Sequence, residues 1–292
     1  MKLEYLVKNN KYKTVNEILS LEFKISSRLK NKLIKKKKIF LNDNVCDTRS
    51  SVTIGDKLVV DLSYSEDNSN IVPKEMSLDI IYEDDWLLVV NKSSGIAIHP
   101  SILHFDNSLS NGIRYYFDKI GLKKKIRPVN RLDIDTSGLV IFAKCEYIQE
   151  CLSLEMQEGI FKKEYLCLVS GKFDKKIGTI DLPIARKNGS IIERCIDENG
   201  KKAITHYKVI KEFKDYSLVH CILETGRTHQ IRLHMASVHH PILGDTLYGT
   251  SSTLISRQAL HSYKIKFIHP ITKKELELIA NLPEDIKRCV EI

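Results

Sequence analysis

From Leu78 to the C-terminus, short apolar runs bounded by turn residues follow one another with little helical periodicity between them, and this pattern restricts the chain to a sheet-centred fold. The runs occupy residues 79–82, 87–90, 138–144, 165–170, 205–211 and 217–223, with two more near the C-terminus. Helical spacing is confined to residues 146–158, through Ile148, Cys151, Leu152 and Met156, and to residues 228–238. A doubly wound parallel sheet needs a crossover helix between successive strands. The expectation is therefore an α+β fold: a mixed, largely antiparallel sheet with flanking helices.

The 292 residues leave room for one domain of about 200 residues and a smaller one. Residues 1–62 are expected to be the smaller, residues 63–76 a polar linker, and residues 77–292 the larger. Formal net charge is +9, and residues 1–62 hold 14 Lys or Arg against 7 Asp or Glu, a concentration suited to a polyanion. Within them, residues 15–21 and 28–38 read as short helices, the second capped by Ser26 and Ser27, with Leu29, Leu33 and Ile34 facing inward. Arg28, Lys32, Lys35 and Lys36 are left for outer faces, as candidates for RNA contact. A hairpin follows, turning at residues 42–44, and a Gly55-Asp56 turn precedes residues 58–60. This segment resembles the S4-like RNA-binding module first described in a ribosomal small-subunit protein, which implies a small N-terminal α/β domain.

No apolar run approaches the roughly 18 residues that span a bilayer, and Glu4 and Asn9 interrupt the stretch where a secretory signal needs its apolar core. Seven cysteines, none at metal-ribbon spacing, do not suggest a disulfide framework. A cytoplasmic monomer without membrane contact is expected.

The run Arg131-Leu132-Asp133-Ile134-Asp135-Thr136-Ser137-Gly138 delivers a carboxylate to a tight turn entering an apolar strand. Backbone amides and the hydroxyls of Thr136 and Ser137 are available to hold an aspartate there as nucleophile or base. Arg131 adds a cation able to touch a phosphate or a displaced base. Lys92 ends the strand over residues 87–90, and Lys123, Lys124, Lys125 and Arg127 precede the loop; all are candidates for backbone phosphates.

Four separated segments, residues 91–99, 130–144, Lys163-Glu164-Tyr165 and Thr225-Gly226-Arg227-Thr228-His229-Gln230-Ile231-Arg232-Leu233-His234-Met235, resemble in order and content the RluA/RluC/RluD family of RNA pseudouridine synthases. The likeness continues through Pro241-Ile242-Leu243-Gly244-Asp245 and Leu247-Tyr248-Gly249. It implies a pseudouridine synthase fold from about Leu78 onward. It also implies Asp133 as catalytic aspartate, Tyr165 as active-site tyrosine, Arg232 as the basic residue paired with Asp133, and Arg131 as the arginine that helps extrude the target base. Asn130, Thr136 and His229 are expected to position the substrate. Asn130 stands where most members carry His, and Ser93 where Pro follows Asn-Lys; Asn cannot titrate, so a positioning role is expected of it.

The resemblance implies isomerisation of uridine to pseudouridine on a flipped-out nucleotide, with large-subunit ribosomal RNA or its precursor as partner and transfer RNA as the alternative. No cofactor and no metal are expected: the reaction is redox-neutral, and the chain has no Gly-rich phosphate loop. Two rival readings are a metal-dependent hydrolase built on His229, His234, His239 and His240, which lack a zinc-site spacing, and a non-catalytic RNA-binding or ribosome-assembly protein.

Overall fold

In the computed structural model of this chain, residues 1–102 and 104–291 are described. The N-terminal part forms an antiparallel sheet from β1 (Lys2–Leu6), β2 (Ile39–Leu41), β3 (Asn44–Val45) and β4 (Lys57–Asp61), in the order β1-β4-β2-β3. Asn42 (φ 49°) and Asp43 (φ 64°) carry the β2–β3 turn as the two left-handed residues that a tight hairpin requires. Between β1 and β2 the chain makes one turn, α1 (Val15–Glu17), widens into a π-helical turn over Ile18–Glu22, and then forms α2 (Ser27–Lys35). Ser26 Oγ caps α2 by accepting from the Leu29 amide at 3.2 Å. Leu29 and Leu33, four apart, are fully buried; Ile34 lies one step round the helix and is exposed, a correction to its expected inward position. The helix also ends before the run of lysines is complete. Lys37 turns to φ 53°, its amide donates to the Ile34 carbonyl and the Lys38 amide to the Leu33 carbonyl, closing the end as a Schellman motif.

Residues 63–76 contain no regular element, yet they are a docked strap rather than a free tether. Tyr64, Asn68 and Ile71 are buried, and Glu66 accepts from Arg127 Nη1 at 2.8 Å, Arg127 Nη2 at 2.7 Å and Lys32 Nζ at 3.0 Å. Polar composition conceals this because much of the docking is made by charged groups that satisfy one another, Glu66 with Arg127 and Lys32.

The remaining strands are β5 (Ile80–Glu83), β6 (Leu87–Lys92), β7 (Ser137–Ala143), β8 (Lys162–Ser170), β9 (Ile177–Asp181), β10 (Ile184–Arg186), β11 (Arg194–Ile196), β12 (Ile204–Glu212), β13 (Tyr216–Leu223), β14 (Leu260–Ile268) and β15 (Glu275–Ile279). Helices α3 (Leu109–Lys119), α4 (Glu146–Gln157), α5 (Gln230–Ser237) and α6 (Glu284–Val290) lie between or after them. Among the described residues the main sheet has nine strands in the order β5-β6-β7-β14-β8-β13-β12-β9, with β15 also on β14. Only β7 and β14 pair in parallel there, so the sheet is mixed and largely antiparallel, an α+β architecture. Every residue of β7 is buried, which explains its uninterrupted apolar run. β10 and β11 form a separate two-stranded ribbon.

Helix α3 escaped the reading of the sequence. Its buried face mixes Leu109, Ile113 and Phe117 with Ser110, Asn111 and Gly112, which dilutes the apolar periodicity. Gly112 is small because Met76 packs against it. One apolar core runs from Leu19, Leu29 and Leu33 of the N-terminal part to Leu87, Leu139 and Leu152 of the main sheet and its flank. The basic N-terminal part is thus packed against the sheet that carries the site.

Candidate active site

The loop before β7 presents Asp133 because other segments pin its backbone. The Thr136 amide donates to the Asp133 carbonyl at 3.1 Å, closing the turn. Lys92 Nζ and the Gly95 amide both donate to the Ile134 carbonyl, at 2.7 and 3.0 Å, and Arg257 Nη1 donates to the Asp135 carbonyl at 2.9 Å. At the base of the loop Gly138 has φ 115°, and a Cβ there would run into the Ser262 backbone of β14, so only glycine fits.

Arg232, on α5, reaches Asp133 Oδ2 with Nη1 at 3.1 Å. Its Nε and Nη2 donate to the two carboxylate oxygens of Asp245 at 2.7 and 2.8 Å. The Asp245 side chain is fully buried and its Oδ1 also accepts from the Leu247 amide at 3.0 Å, so Arg232 is held from behind by a carboxylate that solvent does not reach. Burial opposes the charge of both partners, and their mutual pairing outweighs it: Arg232 is shifted upward and Asp245 downward. Asp133 is a quarter exposed, at 26%, against 8% for Arg232. Among the described residues only its Oδ2 has side-chain partners, and the residue lines the cleft.

His229 precedes α5 instead of standing on it, at φ 58°. The turn that carries it is tied down by Gln230, whose Oε1 accepts from the Arg227 amide and the Thr225 hydroxyl while its Nε2 donates to the Ile204 carbonyl. His229 Nδ1 lies 2.9 Å from the Tyr248 hydroxyl and its Nε2 lies 3.9 Å from Asp133 Oδ2. Burial pushes His229 below its ordinary range. Tyr248 in turn accepts from the Arg194 amide at 2.8 Å, linking the β10–β11 ribbon to the cleft, and its ring lies 5.3 Å from the Arg232 guanidinium carbon.

Tyr165 sits on β8 between Cys221 of β13 and Ser262 of β14, almost wholly buried. Burial, reinforced by the Asp133 carboxylate, pushes its hydroxyl up to about 12, so the phenol is protonated at neutral pH. Lys163, two residues earlier on the same strand face, also lines the cleft, and burial lowers its ammonium.

These side chains surround a cleft of about 910 Å³, at the upper end of the roughly 300–1,000 Å³ of ligand pockets. Asn130, Arg131, Asp133, Tyr165, His229 and Arg232 all line it, while Thr136 borders only a recess of about 60 Å³ beside it. Several expectations are corrected in detail. The Thr136 hydroxyl accepts from Gln258 and the Ser137 hydroxyl bonds His261, so neither holds the Asp133 carboxylate. Asn130, at the cleft wall, spends its amide on the Leu139 carbonyl and the Ile141 amide, bracing the loop against β7. Lys92 is buried, with its three donors on the carbonyls of Ser93, Ile96 and Ile134, and has none left for a phosphate. Lys124 is buried against the carbonyls of Leu62 and Tyr64, and Arg127 against Glu66. Lys32 is committed to Glu66 and Glu146, at 3.0 and 2.6 Å. Arg28, Lys35 and Lys36 remain exposed, away from the cleft.

Asp245 and Tyr248 lie in motifs to which the sequence alone attaches no role, and no local pattern tells that they meet Arg232 and His229. Two of the other candidate metal-ligating histidines have separate partners, His234 at Thr205 and His240 at the Ser170 carbonyl.

Residues 86–237 match the family model described as RNA pseudouridylate synthase. A curated relative from Bacillus subtilis, named as the uncharacterized RNA pseudouridine synthase YjbO, is 40% identical over 237 residues, covering 81% of this chain and 84% of its own. The ribosomal large subunit pseudouridine synthase D of Neisseria meningitidis is 34% identical over 274 residues, covering 89% and 72%. Among solved structures, human RNA pseudouridylate synthase domain containing 1 superposes with a TM-score of 0.58 at 25% identity, over 74% of this chain and 94% of that one.

Proposed function

Given a chain that belongs to the RNA pseudouridine synthase family, we propose that it isomerises specific uridines of large-subunit ribosomal RNA, with Asp133 acting on a nucleotide flipped into the cleft. The observation that carries this reading is the Asp133 carboxylate, held through one oxygen by Arg232 at the wall of the cleft. Relatives named as large-subunit ribosomal pseudouridine synthases and the basic N-terminal part favour a large folded RNA. The reaction balances without a redox partner: N1–C1′ breaks, C5–C1′ forms, C5 loses a proton and N1 gains one.

A stacked uridine cannot offer its glycosidic bond to a carboxylate in a cleft, so the nucleotide must leave the helix. Asp133 assists departure of the uracil and Arg232 keeps the carboxylate in place, oriented from behind by Asp245. Tyr165 lies against the base, with a hydroxyl protonated at neutral pH and able to donate. Arg131, exposed at the cleft, takes the place of the extruded base. The S4-like reading of residues 1–62 assigns the exposed Arg28, Lys35 and Lys36 to the RNA backbone.

The test is pseudouridine mapping at single-nucleotide resolution in cells lacking the protein and in the same cells restored with wild type or Asp133→Asn. Loss of defined large-subunit sites that wild type restores and Asp133→Asn does not is the expected result. Restoration by the variant removes Asp133 from the chemistry, and loss confined to transfer RNA moves the substrate class.

A further inference from the structure

A second groove of about 680 Å³ lies between the start of α2 and the flank of α4, and His99 and Pro128 line both it and the active-site cleft. The two depressions therefore share a wall. Of the acidic groups of the groove, Glu146 pairs with Lys32 at 2.6 Å and faces Arg28 at 3.8 Å, while Glu150 accepts from the Ser26 hydroxyl at 2.7 Å through Oε1 and its Oε2 has no partner among the described residues. Arg127 and Lys32 are bound to Glu66 in the strap. At the rim stand exposed cations on two different parts of the chain, Lys24 and Arg28 on one side and Lys125 on the other, the Arg28 side chain being 89% exposed despite its contact with Glu146. Neither Lys24 nor Lys125 forms an ion pair among the described residues.

We propose that this groove is the track for the RNA strand that leaves the cleft, with Lys24, Arg28 and Lys125 on its phosphates and His99 and Pro128 at the passage between the two sites. The proposal rests on RNA as the substrate and adds the direction in which that RNA runs. The fused core and the Lys32–Glu66–Arg127 cluster fix the opposite rims relative to each other, so the groove is preformed and little ordering cost falls on binding. A single strand suits a rim that tracks a backbone and offers few groups for reading bases.

The test compares full-length Lys24→Glu/Lys125→Glu with a control of equal charge change at exposed lysines far along the chain, Lys214→Glu/Lys274→Glu, in binding to purified large-subunit ribosomal RNA from a strain lacking the protein. Two phosphates lost from a single strand should lower the slope of log affinity against log salt by about 1.4 and weaken binding roughly tenfold at low salt, with the control near wild type. Equal losses in both variants mean bulk charge and overturn the track, as does unchanged binding in the groove variant. Pseudouridine formation on the same RNA is scored in parallel. A groove-specific loss of binding with no product from wild type overturns the synthase reading and leaves the track standing; product with no groove-specific loss does the reverse.

Discussion

Arg232 gives two nitrogens to Asp245 and one to Asp133, so the two carboxylates differ: the buried one grips the guanidinium through both oxygens, and the partly exposed one lines the cleft. Asp245→Ala removes the buried half of that arrangement, and we expect a stability loss of about 3 kcal/mol by chemical denaturation, with a fall in kcat. Arg232→Lys keeps the charge but loses the fork that bridges two acids; kcat should drop roughly a hundredfold in single-turnover assays while RNA affinity is retained. Lys92→Met should make the same split for a different reason. Because its ammonium holds loop carbonyls, the salt dependence of RNA binding should be unchanged while turnover falls, and a flatter salt slope would return Lys92 to the RNA surface. Asp133, Tyr165 and Arg232 could be picked out from sequence because the motifs around them are long. Asp245 could not be given its role, since its partner lies thirteen residues away across a helix and a turn.

At the scale of elements, close approaches decide more than propensity. Gly138 lets β7 lie against Ser262 of β14 at the one parallel pairing described for this sheet, and Gly138→Ala should cost about 3 kcal/mol or more, or fail to fold, as judged by circular dichroism and thermal melting. Lys37 holds the left-handed position that ends α2, where glycine is favoured; Lys37→Gly should raise stability by about 0.5–1 kcal/mol in urea titration. Strands β7, β8 and β13 were legible because burial makes their apolar runs dense. Helix α3 was not, because a helix packed through Ser110, Asn111 and Gly112 lacks the apolar stripe that betrays one. The ends of α2 and the position of His229 depended on left-handed residues that no local pattern announced.

For the molecule as a whole, two buried groups set its acid tolerance. Burial pushes His261 down to about 4 from an ordinary 6.5, so the unfolded chain binds its proton first, and the stability from neutral His261 is lost as pH falls from about 6.5 to about 4. Burial opposes the charge of Glu66, but Arg127 and Lys32 outweigh it and hold it down to about 2; its contribution is present above 4.5 and lost as pH falls toward 2. Urea unfolding across pH should show both losses, and Glu66→Gln should remove the lower one only. Deleting residues 1–62 is expected to expose Leu87, Leu139 and their neighbours and yield aggregated protein, visible by light scattering, in place of a soluble half with weaker binding. The loop that carries Asp133 is completed by residues that come far later in the chain: Arg257 on the Asp135 carbonyl, Gln258 on Thr136, and Ser262 against Gly138. In time, this makes the site one of the last features to mature. A nascent chain that has emerged only as far as α5 already carries Asp133, Tyr165 and Arg232, but it has no loop to aim the first of them, and it stays inert toward the RNA around it until β14 has left the ribosome.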